Sequence, residues 1–337
     1  MYMSQYDFEE ERIRQEIARL EARRVLIQLP EGLKPEGPRL AKIVEKTDAL
    51  PIISADSCYG ACDLATAQAK SLDVDLIIHY GHSKLLRHEP IPTIYVEARA
   101  TVKAEDAVEK ALSLLERWRK IGLTTTIQHV QTLDNAREIL LHAGKTVIIG
   151  DTGNGKYPGQ VIGCDYTNAK SIICEVDAFL FIGGGRFHAL GVALSTSKPT
   201  IIADPYENRA FPIGKEAMKI FKQRWASIEK AKQAQTFAIL VGLKLGQTRL
   251  DKAIDIKKRL EKRGKPAHLF AVTNITPLIL MNFPAIDAYV NTACPRLSLD
   301  DSSKFQKPVL TINETLVMLD EVSWEELCEK GLLESQI

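Results

Sequence analysis

VDLIIHYGHSKLL from Val74, VDAFLFIGGGRFHAL from Val176 and IDAYVNTACPRLSLDD from Ile286 decide the fold. Each is an aspartate heading a short apolar run that ends in glycine or small polar residues. Towards the C-terminus each meets a second apolar run that opens near a proline: IPTIYVEA from Ile91, KPTIIADPY from Lys198 and KPVLTINE from Lys307. The separations are similar, Asp75 to Pro92, Asp177 to Pro199 and Asp287 to Pro308. Towards the N-terminus each is preceded by another buried-type strand: RVLIQLPEGL at 24–33, TTTIQHV at 124–130 and TFAILVGLKLGQ at 236–247. One grammar used three times marks an internal repeat.

Short continuous runs rich in Val and Ile, alternating with helical patterns, indicate parallel sheets buried on both faces. TLDNAREILLHAG at 132–144 and QTRLDKAIDIKKRLEKRG at 247–264 are such helical patterns, each closed by a glycine, Gly144 or Gly264, suited to a C-cap. The expected fold is therefore α/β, with three pseudo-repeated doubly wound domains. Their limits are 1–120 with a leading helix, 121–228, and 229–337 with a terminal helix. Right-handed crossovers bring the carboxyl ends of all strands to one edge of each sheet, where ligands bind. Three such edges facing one axis make a central cluster site.

Composition is that of an ordinary soluble protein. The chain has 337 residues, 45% of them hydrophobic and 26% charged, with a formal net charge of +1. The near-neutral balance gives no global field for nucleic acid, so no direct nucleic-acid partner is expected. No apolar run approaches the ~20 residues of a membrane span. MYMSQYDFEEERIRQEIARLEARR lacks the apolar core of a signal peptide. The expected location is cytoplasmic, away from membranes. There six cysteines stay mostly reduced and point to metal or redox chemistry.

Cys58 in ADSCYGACDLA, Cys164 in GQVIGCDY and Cys294 in NTACPRLSLDD fall one to each domain. Such wide spacing excludes a local zinc knuckle, whose ligands come in close pairs. Three thiolates with no evident fourth favour an iron–sulfur cubane with one open iron over structural zinc. Cys58, at a strand end, is read as a ligand, and Cys62, in the first turn of a following helix, as a packing residue; a small core thiol is the alternative for Cys58. Pro295 after Cys294 removes a backbone donor, and a Cys-Pro step recurs at iron–sulfur ligands. Cys174 is expected in the core and Cys328 in packing or at the surface. His79 and His82 flank Gly81 at a strand end and are candidates to face the pocket.

Polar residues at strand ends complete the candidate pocket. IGGGRFHAL at 182–190 lets backbone N–H groups approach an anion through Gly183, Gly184 and Gly185. His188 and Arg186 are within its reach. Glu31 in LPEGL, and Lys244 and Gln247 in GLKLGQ, occupy equivalent positions in the first and third repeats, and Asp204 ends another strand. Arg296 offers a fork for a carboxylate. Asp300 and Asp301 suit a substrate ammonium, with Asp300 as an N-cap the alternative.

SCYGACDLA, HYGHSKL, GQVIGCDY, GGGRFH, ADPY, K-x-GQ and ACPRLSLDD, in that order, resemble the archaeal radical enzymes of diphthamide biosynthesis over nearly the whole chain. The resemblance implies a transferase and a homodimer, with a [4Fe–4S] cluster on Cys58, Cys164 and Cys294. S-adenosylmethionine is the implied cosubstrate, bound by Glu31, Tyr59, Gly183, Gly184, Gly185, His188, Asp204, Lys244, Gln247 and Arg296. Reductive cleavage of its bond from sulfur to the γ-carbon would give a 3-amino-3-carboxypropyl radical. Addition to C2 of a histidine of translation elongation factor 2 would follow, with release of 5′-methylthioadenosine. An external electron donor is implied. Lys84, Arg87, Lys156 and Lys170 are candidates to touch the elongation factor. Two alternatives remain at this stage: a [4Fe–4S] dehydratase resembling quinolinate synthase, which also places three cysteines on three α/β domains, and a non-catalytic triplicated scaffold.

Overall fold

The structure, a computed structural model, describes residues 5–86, 88–300 and 302–333. Arg87 and Asp301 lie outside the described residues. The N-terminal part carries β1 (Tyr6–Asp7), β2 (Arg24–Gln28), β3 (Leu50–Ile53), β4 (Leu76–Tyr80), β5 (Thr93–Val96) and β6 (Arg99–Ala100). The middle part carries β7 (Lys120–Thr125), β8 (Thr146–Ile149), β9 (Ala178–Ile182), β10 (Thr200–Asp204) and β11 (Arg209–Pro212). The last part carries β12 (Phe237–Gly242), β13 (Ala267–Val272), β14 (Ala288–Asn291) and β15 (Val309–Thr311).

The strand orders are β3-β2-β4-β5, β8-β7-β9-β10-β11 and β13-β12-β14-β15. All three are the same arrangement: second strand, first, third, fourth. Every pair is parallel except β10–β11, which adds an antiparallel edge to the middle sheet. The small pair β1–β6 is also antiparallel. The repeat in the sequence is thus a repeat of α/β topology. Among the described residues no helix is long and apolar enough to cross a membrane.

The aspartate that heads each third strand has a backbone task. Asp75 Oδ2 accepts the N–H groups of Arg23 and Arg24 at 2.8 and 2.7 Å. Asp177 Oδ2 accepts those of Arg119 and Lys120 at 3.1 and 2.8 Å. Asp287 Oδ2 accepts those of Gln235 and Thr236 at 3.1 and 2.9 Å. In each sheet the carboxylate ties the start of the third strand to the start of the first. These donors hold the three carboxyls below the usual aspartate range, led by the N–H of Arg24, Lys120 and Thr236 respectively.

A depressed folded pKa gives stability that is complete above the unfolded value, roughly 3.9. It is lost as pH falls through the folded value. The urea midpoint of the wild type is therefore expected to fall more steeply between about pH 5 and about pH 3 than that of the triple variant Asp75→Asn, Asp177→Asn, Asp287→Asn. Parallel profiles for the two proteins would show that these contacts carry no acid-linked stability.

Packing moves the limits expected between repeats. Ala104, Ala107, Val108, Ala111 and Leu115 share a core with Ile121, Leu123 and Leu180 of the middle sheet, so residues from about 101 onward pack with the second unit. The helix Gly214–Lys232 runs unbroken across 228/229, and the passage to β12 comes at 233–236. One apolar cluster, from Phe179 and Val192 through Ile220 and Ile228 to Phe237 and Leu310, joins the middle and last sheets. We place the limits near 101 and 233 on that ground. β7 lies at Lys120–Thr125, not at 124–130, where the chain instead forms a 3-10 turn over Ile127–Thr132.

Candidate active site: a three-cysteine centre

In a sheet of this order the crevice opens between the first and third strands, where the chain leaves in opposite directions. The first sheet brings Gln28 beside His79 there, and the middle sheet brings Thr125 beside Ile182, just before Gly183–Gly185. In the last sheet β12 runs into Leu243–Gln247 and β14 into Thr292–Cys294. The cysteines ride on loops at these edges. Cys58 and Cys62 follow β3, Cys164 follows β8 and Cys294 follows β14.

The structure brings Cys62, Cys164 and Cys294 together. Burial raises the Cys164 thiol, and charge on Cys62 and on Cys294 raises it further. Burial pushes the Cys62 thiol up to about 11, with a hydrogen bond from Gln247 opposing and charge on Cys294 adding. Arg249, below its usual value through burial, is drawn back up by Cys164, Cys62 and Cys294 alike. Its Nη1 donates to the carbonyls of Thr292 and Ala293 at 3.3 and 3.0 Å, which holds its cation beside the Cys294 loop. Three thiols from three sheets thus act on one guanidinium, whose cation offsets thiolate charge, and thiolates are the soft ligands that an iron–sulfur cluster or zinc would take.

Local structure aims each sulfur. The loop after β12 clasps the Cys62 segment: Gly246 N–H donates to Cys62 O at 3.0 Å, Gln247 Nε2 reaches Cys62 Sγ at 3.4 Å, and Lys244 Nζ pairs with Asp63 at 2.5 Å. A Cβ on Gly246 would stand 2.6 Å from Cys62 Cα, so only glycine lets the two backbones meet. Cys164 occupies the tip of a tight turn closed by reciprocal 3.1 Å bonds between Ile162 and Asp165. Cys294 precedes the short helix Pro295–Asp300. Burial raises its thiol, against the N–H and charge of Arg296 and the N–H of Leu297. Asn291 Nδ2 holds the Cys294 carbonyl at 2.7 Å.

Cys58 is not the member of this group that its position at a strand end suggested. It lies beside Cys62, 3% exposed, with its thiol pushed up to about 12 by burial and then by Asp63. Its sulfur keeps company with ring nitrogens of His79 and His82. The expected helix beginning at Cys62 starts only at Thr66, so Cys62 sits in the loop and is free to turn towards the other sheets. Cys174, expected in the core, is exposed, and Cys328 is half-buried.

Several other expected ligand contacts are already engaged within the protein. Arg296 spends its fork on Asp300 (2.6 and 3.1 Å), Tyr166 Oη (2.9 Å) and the Phe187 carbonyl (2.8 Å), and stacks 3.7 Å over the Phe187 ring. It fastens the Cys294 helix to the middle unit and is not an open carboxylate clamp; Asp300 is its partner. Asp204 braces the glycine loop, accepting the N–H groups of Gly185, Tyr206 and Glu207 at 3.1, 2.9 and 3.2 Å. Glu31 is an exposed partner of Lys34 at 2.7 Å. Lys84 pairs with Glu89 and Lys156 with Glu97, while Lys170 donates to the Lys330 carbonyl. Gly183 and Gly185 have φ of +149° and +74°, as a backbone cradle requires. Gly184 packs under the Tyr206 ring. His188 is held near pKa 3 by burial and by Arg296, so it is neutral. Tyr59 is 61% exposed, with the Lys244 ammonium 4.7 Å above its ring.

Three repeated α/β sheets with a cysteine-bearing loop at the edge of each define the class of protein to look for. Comparison with known proteins narrows it. The family described as "Putative diphthamide synthesis protein" matches residues 29–328. The 2-(3-amino-3-carboxypropyl)histidine synthase of Pyrococcus horikoshii is 39% identical over 321 residues, 94% of this chain and 92% of that one. Subunit 1 of the Schizosaccharomyces pombe synthase is 31% identical over 334 residues, 96% of this chain and 76% of that one. The crystal structure of Dph2 from Pyrococcus horikoshii with a 4Fe-4S cluster superposes with a TM-score of 0.87 at 38% identity, covering 96% of this chain and 94% of that one. The chain belongs to the diphthamide synthesis family, and it is an enzyme, a transferase. The dehydratase and the inert scaffold are thereby set aside.

Proposed function

We propose that this enzyme carries out the first step of diphthamide synthesis: transfer of a 3-amino-3-carboxypropyl group from S-adenosylmethionine to C2 of a histidine in translation elongation factor 2. The convergence of Cys62, Cys164 and Cys294 beside Arg249 carries the proposal. A [4Fe–4S] cluster fits that donor set. The thiols are soft and buried, and three of them leave one coordination position for cosubstrate. The Pyrococcus relative bears such a cluster. Cys62 takes the place first given to Cys58.

A cluster bound there supplies one-electron reduction of the sulfonium. The bond from sulfur to the γ-carbon then breaks, giving 5′-methylthioadenosine and a carbon radical. The radical would add to C2 of the target imidazole, and the adduct would give up one electron to a one-electron acceptor, such as the cluster left oxidised by the first step, and the C2 proton to solvent, which restores the ring. The protein's part is to select which carbon faces the site. In the glycine loop the N–H of Gly183 is taken by the Ala203 carbonyl and that of Gly185 by Asp204, which leaves the Gly184 N–H as the backbone donor for the amino acid carboxylate. Gln247, which reaches Cys62 Sγ, and Lys244 beside the Tyr59 ring are the further residues we assign to the cosubstrate, with neutral His188. The same reading takes a homodimer as the working form, an external electron donor and a cytoplasmic location.

Anaerobically purified, reduced protein incubated with elongation factor 2 and labelled S-adenosylmethionine is expected to release 5′-methylthioadenosine and to add the amino acid moiety to a single histidine. Formation of 5′-deoxyadenosine in its place would sink the proposal.

A further inference from the structure

Cys58, His79 and His82 form a second set of metal-binding side chains, which the transfer chemistry leaves unused. The Cys58 sulfur and one nitrogen of each ring all lie within 4.8 Å of one another. His79 Nε2 and His82 Nδ1 face each other at 2.9 Å. His79 Nδ1 is 2.9 Å from Gln28 Oε1. The Gln28 amide is itself oriented, since Nε2 donates to Asp63 O at 2.6 Å and Oε1 accepts the Ala65 N–H at 3.1 Å. Gln28 therefore presents an acceptor, His79 carries its proton on Nδ1, and His79 Nε2 points a lone pair towards His82. A metal-binding histidine commonly has its far nitrogen fixed in this way by an outer partner.

The backbone builds the set. His79 is the next-to-last residue of β4, and Gly81, with φ +79°, turns the chain so that His82 folds back onto it. Cys58 arrives from the loop after β3 and is buried. Two imidazoles and a thiol are borderline-soft donors, suited to zinc and foreign to magnesium or calcium. Two nitrogens on a tetrahedral zinc stand roughly 3.3 Å apart for Zn–N bonds of about 2.0–2.1 Å. The two nitrogens need to part by a few tenths of an ångström, and the rings to tilt so that both lone pairs meet at the ion.

We propose that Cys58, His79 and His82 bind one Zn²⁺, with water in the fourth position, and that this ion ties the loop carrying Cys62 to the end of β4. Binding releases the Cys58 thiol proton to solvent and moves the His82 proton from Nδ1 to Nε2, freeing both facing lone pairs. The inference goes beyond the transfer reaction and stands whether or not that reaction is as proposed.

The test uses cluster-loaded protein dialysed anaerobically against buffered micromolar Zn²⁺. Zinc and iron are measured for wild type, Cys58→Ser and His82→Asn, and zinc X-ray absorption for wild type. About one zinc per chain is expected in wild type and none in either variant, with iron unchanged. The absorption spectrum is expected to show one sulfur at about 2.3 Å and two nitrogens at about 2.0–2.1 Å. No zinc in wild type, equal zinc in the variants, zinc rising only as iron falls, or a fifth iron in place of zinc would each overturn the assignment. Should both variants also lose iron, the spectrum decides: a mixed nitrogen and sulfur shell supports the site, and a three-sulfur shell refutes it. Iron content alone reports on the three-cysteine centre, so failure of one proposal is separable from failure of the other.

Discussion

Cys62→Ala protein, purified anaerobically, is expected to hold almost no iron where wild type holds about four per chain. Its transfer activity should fall well beyond the roughly 10–100-fold seen when only an outer partner of a metal ligand is lost. Cys164→Ala and Cys294→Ala should behave alike, and Cys58→Ala should keep its iron. The contrast rests on which cysteine the last sheet grips. Gly246 and Gln247 bond the backbone and sulfur of Cys62, and Lys244 holds its neighbour Asp63. Charge on Cys62, not on Cys58, is what Cys164 and Arg249 feel. Iron and sulfide analysis with the electron paramagnetic resonance signal after dithionite reads the outcome. Full iron in Cys62→Ala with loss in Cys58→Ala would reverse the assignment and return the site to the strand-end cysteine.

The choice between these two cysteines was not legible in the sequence, for a physical reason. They are four residues apart in one loop, and the contacts that select Cys62 come from Lys244, Gly246 and Gln247, far along the chain. Arg249 was hidden likewise, as one basic residue at the start of an amphipathic helix. What could be read was whatever each repeat must do locally. Asp75, Asp177 and Asp287 recur because each sheet needs the same tie between its first and third strands. The glycine run at 183–185 could be read because positive φ leaves few other residues. The start of β7 was missed because Gly122 interrupts its apolar run, and a strand glycine often marks close approach. A Cβ there would lie 2.5 Å from the Phe179 ring. Arg296 and Asp204 can be read from the sequence as polar residues at strand ends, but not that other protein groups engage them, Asp300, Tyr166 and Phe187 for Arg296 and three backbone N–H groups for Asp204.

Arg224→Met is expected to destabilise the fold by about 3–5 kcal/mol, the usual cost of leaving one partner of a buried ion pair alone. Arg224 and Glu314 have side chains 0% and 2% exposed and pair through two bonds of 2.6 and 2.7 Å. The guanidinium also donates to the carbonyls of Ser298 and Val309 at 2.6 and 2.8 Å. Glu314 in turn accepts the Thr311 N–H at 2.7 Å and closes a capping box on the helix Ile312–Met318. One side chain from the long helix Gly214–Lys232 thus joins the Cys294 helix, β15 and the helix after it. Replacing both members by apolar residues relieves the lone charge, and in other proteins such exchanges are often neutral or better. Here Arg224→Met with Glu314→Leu is expected to recover only part of the loss. Two carbonyls and one N–H lose their charged partners, at about 1–3 kcal/mol for each that stays unsatisfied. Urea unfolding of the two single variants and the double variant measures the coupling. Iron content adds a readout that global stability does not: Ser298 lies in the helix that begins beside Cys294, so Arg224→Met should also lower iron retention under conditions where the protein is still folded. A double variant as stable as wild type would mean the backbone groups find other partners and the pair acts by charge alone. A single variant within 1 kcal/mol of wild type, on the order of ordinary surface changes, would remove the pair from any role in holding the Cys294 helix in place.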